Sequence, residues 1–156
     1  MPFTWSTPLS LYSIPAVWLT SFVPMNLKFS LIARTIGYNN VQPRANTGRM
    51  VNNRAVPKDV AAQAERMEGA HLNGNEMLPI WIAAVLAGNQ AGVAQETLNS
   101  VSVAFIVTRI LYNYVYITHT TQLASTLRTG LWSISLSLPM YLIVKAGNIL
   151  RTRGSL

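Results

Sequence analysis

Two predicted helices each carry a line of residues on one face whose side chains are the first candidates for chemistry. In the earlier helix, the line consists of Arg66, Gly69, Asn73, Glu76 and Ile80. In the later helix, it consists of Arg109, Tyr112 and Tyr116. Steps of three and four residues place side chains on the same helical face. Guanidinium, phenol, amide and carboxylate groups in such lines suit the binding of an anionic ligand and the stabilisation of an oxyanion or a thiolate.

A third candidate is Arg128, which stands with Thr129 at the predicted start of the last helix. A thiol has a pKa of about 8.5, and a close guanidinium lowers that pKa and raises the thiolate fraction. The dipole of a helix adds to this field at the helix start. The hydroxyl of Thr129 can donate a hydrogen bond to the same ligand.

The same side chains also have a purely structural interpretation. In that alternative, Arg66 or Arg109 pairs with Glu68 or Glu76, and the polar network only fixes the packing of helices. Residue types and spacing alone do not decide between a structural role and a ligand site. Ionisable groups at membrane depth are costly, which favours a function for at least some of them.

No metal site is predicted. The chain has no cysteine, which excludes thiolate metal sites, iron–sulfur clusters, disulfides and a cysteine nucleophile. Neither His71 nor His119 has a second histidine at ligand spacing. Each is expected to be an interfacial side chain held by hydrogen bonds.

The elements that position these residues follow from composition. Half of the 156 residues are hydrophobic and only 11% are charged, against about 25% in soluble domains. Long charge-free stretches cover residues 1–27, 77–95, 110–127 and 129–144. The basic residues that give the net charge of +7 flank these stretches, as they do in membrane proteins. The composition therefore predicts a polytopic membrane protein and no nucleic-acid partner.

We expect one all-α membrane domain over residues 1–156, a four-helix bundle. The predicted spans are about 9–36, 57–88, 96–118 and 128–149, and a polar basic loop covers residues 37–56. This loop carries Arg44, Arg49 and Arg54 and no acid. Positively charged loops stay on the cytosolic side, so the loop is predicted to be cytosolic and both termini to face the opposite compartment.

Ordered motifs in the last three predicted helices are similar to those of a known family. The first is Arg66 followed by Ala70, Asn73, Glu76 and Pro79. Arg109, Tyr112 and Tyr116 form the second, and Leu127-Arg128-Thr129 forms the third. A Gln42-Pro43-Arg44 turn precedes them. Over about residues 9–150 the chain resembles the MAPEG family, the membrane-associated proteins of eicosanoid and glutathione metabolism.

The resemblance implies a homotrimer in the endoplasmic reticulum membrane with glutathione bound between protomers. The glutathione-binding residues would be Arg66, Asn73, Glu76, Arg109, Tyr112 and Thr129. Arg128 and Tyr116 would act at the thiolate or an oxyanion, and Arg34 would lie near the thiol or the acceptor. The other partners would be the bilayer and a lipophilic substrate.

Two positions depart from the family pattern. Gly69 and Leu72 stand where some members carry arginines that hold the carboxylates of glutathione. Losing one such contact costs about 1.5–3 kcal/mol, or roughly 10- to 150-fold in affinity. Arg66, one turn away, is a possible substitute.

Three functions remain open at this point. The first is a glutathione-dependent transferase or peroxidase that acts on lipophilic electrophiles. The second is an isomerase or cyclase of a lipophilic substrate that needs no glutathione and uses Arg128, Tyr116 and Glu76. The third is a membrane scaffold without catalysis, against which the costly buried polar groups argue.

Overall fold

The computed structural model describes residues 4–154, and its long elements are all helices. A 3-10 turn, Ser10–Tyr12, leads into α1, Ser13–Ile36. A short helix, α2, covers Asn46–Val51. Three long helices follow: α3, Lys58–Ala91; α4, Gln95–Thr118; and α5, Gln122–Arg153. No strand occurs between residues 4 and 154, so the prediction of an all-α fold is confirmed.

The ends of the long helices follow local rules. Gly37 and Gly92 have φ angles of 73° and 72° and end α1 and α3, as glycine does in the left-handed region. Pro57 precedes the first residue of α3, where a missing N–H costs nothing. The side chain of Thr121 accepts a hydrogen bond of 3.3 Å from the Ala124 N–H and caps α5.

Three of the helices are long and apolar enough to cross a membrane. They are Ser10–Ile36, which includes the 3-10 turn, Gln95–Thr118 and Gln122–Arg153. The helix α3 is less apolar because charged and amide side chains interrupt its first half. At 34 residues it is about 50 Å long, which exceeds the hydrocarbon core of about 30 Å.

The four long helices pack as a bundle in which α3 touches α1, α4 and α5. The core centres on Trp81 of α3, whose ring stacks on Phe105 of α4 with 4.1 Å between centroids. The Trp81 indole N–H donates to the Ser13 hydroxyl of α1 at 3.0 Å, so the largest core residue has no unpaired donor. Close to this core, α1 and α3 approach so tightly that a Cβ on Gly74 would collide with Ser21.

Pro24 interrupts the hydrogen bonding of α1, and the neighbouring helix α4 repairs it. Proline has no N–H, so the Thr20 carbonyl loses its partner four residues on. The Asn113 amide of α4 donates to this carbonyl at 2.7 Å. Membrane helices tolerate proline where a neighbour satisfies the freed group in this way.

A histidine of α3 joins the same region of α1. The Nδ1 atom of His71 lies 2.8 Å from the Ser21 carbonyl, which only accepts, so Nδ1 carries the hydrogen. Its Nε2 atom then accepts from the Asn75 amide at 3.1 Å. His119 makes a similar bond from Nδ1 to the Tyr116 carbonyl at 2.7 Å. Both histidines are thus held by hydrogen bonds, as predicted.

The ion pairs of Arg66 or Arg109 with Glu68 or Glu76, which the structural interpretation included, do not form in the described chain. Glu68 instead pairs with Lys28 of α1 at 3.2 Å. The Lys28 side chain is 5% exposed and that of Glu68 is 32% exposed. A buried ammonium needs a partner, and α1 packs along α3 where Glu68 supplies one.

Candidate functional site

One pocket of about 360 Å³ lies between α3, α4 and α5. It is lined by Gly69, Leu72, Asn73, Glu76, Tyr112, Tyr116, Arg128, Thr129 and Trp132. Most of its lining surface is polar, unlike that of the other cavities found in the described chain. Six of the nine predicted site residues meet here.

The wall formed by α3 presents an amide and a carboxylate one turn apart. The Asn73 Oδ1 atom accepts a hydrogen bond of 3.1 Å from Nη1 of Arg109. Because this bond uses only the amide oxygen, the amide N–H groups of Asn73 can donate to a ligand. Glu76 lies on the same face and is exposed in the protomer. A carboxylate here can accept from an ammonium or from hydroxyl groups.

The wall formed by α4 consists of two tyrosines with an arginine behind them. The rings of Tyr112 and Tyr116 are one turn apart, with 5.4 Å between centroids. Arg109 is 1% exposed and does not line the pocket, but its guanidinium carbon lies 4.4 Å from the Tyr112 ring centroid. Its Nη2 atom has no hydrogen-bond partner. Arg109 therefore positions Asn73 and Tyr112 and places a positive charge behind them.

The wall formed by α5 provides the cation of the pocket. The Arg128 guanidinium carbon lies 5.0 Å from the Tyr116 ring centroid, and Nη2 donates to the Ser125 hydroxyl at 3.3 Å. The cation–π contact and this hydrogen bond hold the guanidinium at the pocket. Thr129 and Trp132 also line the pocket, and Trp132 lies four residues after Arg128 and therefore on the same helical face.

Arg128 does not stand at the start of its helix. The predicted span begins at residue 128, whereas α5 begins at Gln122, about two turns earlier. The Thr121 cap explains the earlier start, because it nucleates the helix before the apolar run. The field of a helix dipole fades within the first turn, so the expected dipole contribution at Arg128 is wrong.

The sequence matches the profile of the MAPEG family over residues 5–148, which include all of α1, α3 and α4 and most of α5. The chain belongs to the MAPEG family. This family includes glutathione transferases, peroxidases and isomerases. Neither a curated protein nor a solved structure matches the chain.

Besides Arg109, two further predicted site residues of this MAPEG protein lie outside the pocket. The Arg66 Nε atom donates to the Ile117 carbonyl at 3.0 Å, so Arg66 ties α3 to the last turn of α4. Arg34 lies exposed near the end of α1 and donates to the Ser30 carbonyl at 3.1 Å. The pocket therefore holds a single arginine, Arg128.

The glycine in the α3 wall leaves space that the Tyr116 side chain occupies. A Cβ atom on Gly69 would lie 2.6 Å from the Tyr116 hydroxyl oxygen and 3.1 Å from two ring atoms. The Tyr116 side chain therefore fills the volume that a larger residue at position 69 would occupy. The MAPEG arginine missing at this position has no room while Tyr116 keeps this conformation.

Trp132 is the lining residue that sequence reasoning missed. It is exposed, and beside Leu72 it forms the apolar part of the pocket rim. A usable signal was present, because Trp132 lies four residues after Arg128 and therefore on its face. A single tryptophan in a long apolar run carries little information without a known neighbour.

Proposed function

We propose that this MAPEG protein uses glutathione to modify lipophilic electrophiles or peroxides that reach it from the bilayer. The observation that carries the proposal is the pocket itself, in which one guanidinium, one carboxylate and three hydroxyl groups surround a single space. The exposed apolar side chains Leu72 and Trp132 at its rim suit a lipophilic second substrate.

The lining fits most of the polar groups of glutathione. Glu76 suits the ammonium group, and Asn73, Tyr112 and Thr129 suit the peptide groups. Arg128 suits the thiolate. Glutathione also has two carboxylates, for which the pocket of one protomer offers no further cation.

A neighbouring copy would supply what one protomer lacks. Glu76 is exposed on α3, and if α3 spans the bilayer as proposed, lipid would offer this carboxylate no hydrogen bonds. Burial of this face against other copies in a homotrimer would remove that cost. Arg34, which is exposed near the end of α1, is then available to a pocket in the next protomer.

Glutathione, when bound, supplies a nucleophilic sulfur. Arg128 favours the thiolate form by its positive charge and stabilises negative charge that develops at the reacting atoms. The Arg128 guanidinium lies over the Tyr116 ring, and the hydroxyl of this tyrosine can donate a hydrogen bond to that charge. Leu72 and Trp132 keep the lipophilic substrate at the rim and limit the access of water.

Calorimetric titration of the detergent-purified protein with glutathione tests this proposal. We expect saturable binding that weakens about 10- to 150-fold in Glu76→Ala, since a charged hydrogen bond contributes about 1.5–3 kcal/mol. Glu96→Ala is the matched control, because Glu96 lies in the first turn of α4 and outside the pocket. The absence of binding at millimolar glutathione would contradict the proposal.

One observation favours a second candidate, a glutathione-independent isomerase or cyclase of a lipophilic substrate. Tyr116 fills the space beside Gly69, so no arginine at position 69 is available to bind a ligand carboxylate. In this alternative, Arg128 holds an oxyanion while Tyr116 and Glu76 transfer protons. Turnover that survives complete removal of glutathione but is lost in Arg128→Ala would establish it.

The proposal also includes a topology, with α3 as the fourth spanning helix of an endoplasmic reticulum protein and residues 37–56 in the cytosol. The chain has no cysteine, so single cysteines can be introduced and labelled without background. A membrane-impermeant maleimide added to sealed microsomes should label Asn52→Cys. It should not label Ala94→Cys, in the turn between α3 and α4, until the membrane is permeabilised.

A further inference from the structure

A separate apolar groove opens between α1, α3 and α4, and it shares no lining residue with the pocket of Arg128. Its volume is about 550 Å³, within the range of small-molecule sites. Leu19, Val23 and Leu27 of α1 and Ile110 and Tyr114 of α4 form exposed parts of its lining. The helices α1 and α4 are long and apolar enough to cross a membrane, and in a bilayer an opening between them would face lipid.

Asn113 lies in the wall of this groove and is 8% exposed. Its Nδ2 group is already used, because it donates to the Thr20 carbonyl that Pro24 leaves free. Its Oδ1 atom is buried and has no hydrogen-bond partner. Exchanging the two amide atoms would place one oxygen against another, so the Thr20 contact fixes which atom remains unpaired.

The remaining acceptor defines the chemistry of an occupant. It needs a hydrogen-bond donor, which excludes an ether or an ester as the recognised group. The groove lining contains no lysine, arginine, aspartate or glutamate. A carboxylate or an ammonium would therefore be buried there without a counter-charge, at high cost. A neutral hydroxyl group on a long apolar body supplies the donor, carries no charge and matches the apolar lining.

We propose that this groove binds a lipophilic alcohol from the bilayer, with its hydroxyl donating to Oδ1 of Asn113 and its apolar body lying along α1 and α4. Because this acceptor is buried, the proposal includes a small movement of the Asn113 side chain when the ligand binds. The site is independent of the glutathione pocket, so it stands or falls separately from the proposed function.

Photolabelling in phosphatidylcholine nanodiscs tests the proposal. The probes are hexadecanol with a diazirine in its chain and the methyl ether of the same compound, which lacks only the donor. We expect saturable labelling of the groove segments of α1 and α4, mapped by mass spectrometry, with about 2- to 10-fold higher apparent affinity for the alcohol. Equal affinity of the two probes would overturn the proposal, because the groove would then bind any chain.

Two substitutions on α4 provide a matched pair. Ile110 and Val107 are 53% and 49% exposed on the same helix, but only Ile110 lines the groove. We expect Ile110→Trp to fill the groove and reduce labelling several-fold, and Val107→Trp to leave it unchanged. Equal effects of the two would show that labelling follows general lipid contact and would overturn the proposal.

Removal of the acceptor gives the decisive variant. Asn113→Leu should abolish the preference for the alcohol over the ether. Because this change also removes the donor to Thr20, it is repeated in Pro24→Ala, where residue 24 regains its N–H, and is compared with Pro24→Ala alone. A preference for the alcohol that persists without Asn113 would overturn the proposal.

Discussion

The hydroxyl oxygen of Tyr116 lies only 2.6 Å from the point that a Cβ atom on Gly69 would occupy. The space beside Gly69 of α3 is thus occupied by the Tyr116 side chain of α4. This contact gives a physical reason for the absence of an arginine at position 69. It also makes the tyrosine conformation dependent on the glycine.

We predict that Gly69→Ala is destabilising. Alanine in place of glycine gains about 1 kcal/mol of helix propensity, but overpacking costs about 1–3 kcal/mol. In a Tyr116→Leu background the same change should become stabilising, since the ring that opposes it is gone. The free energy of unfolding in detergent measures both effects. Gly130→Ala is the control, because a Cβ there meets nothing within 4 Å and should gain stability.

Arg128→Ala should lower kcat for glutathione conjugation about 10²- to 10³-fold, the usual effect of losing one charge-stabilising donor. Arg128→Lys should retain part of the rate, because the charge remains while the planar contact over Tyr116 is lost. The ultraviolet absorbance of bound thiolate should fall in parallel. Arg44→Ala, in the loop after α1, should leave both measurements unchanged. An unaltered thiolate signal in Arg128→Ala would remove Arg128 from the proposed role.

The bond from Asn113 to the Thr20 carbonyl should be needed only because of Pro24. We expect Asn113→Leu to lower the free energy of unfolding by about 1–3 kcal/mol, and by clearly less in Pro24→Ala. Asn99→Leu should show no such dependence, because Asn99 donates to the Trp5 and Thr7 carbonyls instead. If the two substitutions Pro24→Ala and Asn113→Leu changed the free energy of unfolding additively, Asn113 would not compensate for the missing N–H of Pro24.

The Lys28–Glu68 pair should respond unequally to the loss of either partner. Glu68→Ala leaves the more buried charge unpaired, with a cost of up to about 3–5 kcal/mol, and Lys28→Met should cost less. The double variant Lys28→Met/Glu68→Leu should recover most of the loss. Thermal unfolding in detergent measures the series. Asp59→Ala, in the exposed first turn of α3, is the control.

Much of this arrangement was predictable because helical periodicity is local. The steps that join Asn73 to Glu76 and Tyr112 to Tyr116 place each pair on one face, and the structure turns both faces toward one pocket. The charge-free stretch 129–144 lies within one of the helices that are apolar enough to cross a membrane, whereas the stretch 110–127 runs across the turn between α4 and α5. The residues that share one face of a helix can be predicted from their spacing alone, whatever the neighbouring helix is.

Contacts between helices were harder to foresee. Lys28 and Glu68 are 40 residues apart, and nothing in either segment shows which faces of α1 and α3 meet. Arg66 was expected to bind a ligand, but it donates a hydrogen bond to the carbonyl of Ile117 instead. The position of Arg128 within α5 was misjudged because the polar residues after Thr121 hid a capped helix start.

The repair of α1 by Asn113 also imposes an order on biosynthesis. Thr20 and Asn113 are separated by 93 residues. At about 5–20 residues per second, the ribosome delivers Asn113 about 5–20 s after Thr20. During this interval the first membrane helix carries an open carbonyl that lipid cannot satisfy. We therefore expect water or another donor to pair the Thr20 carbonyl beside Pro24 until α4 arrives.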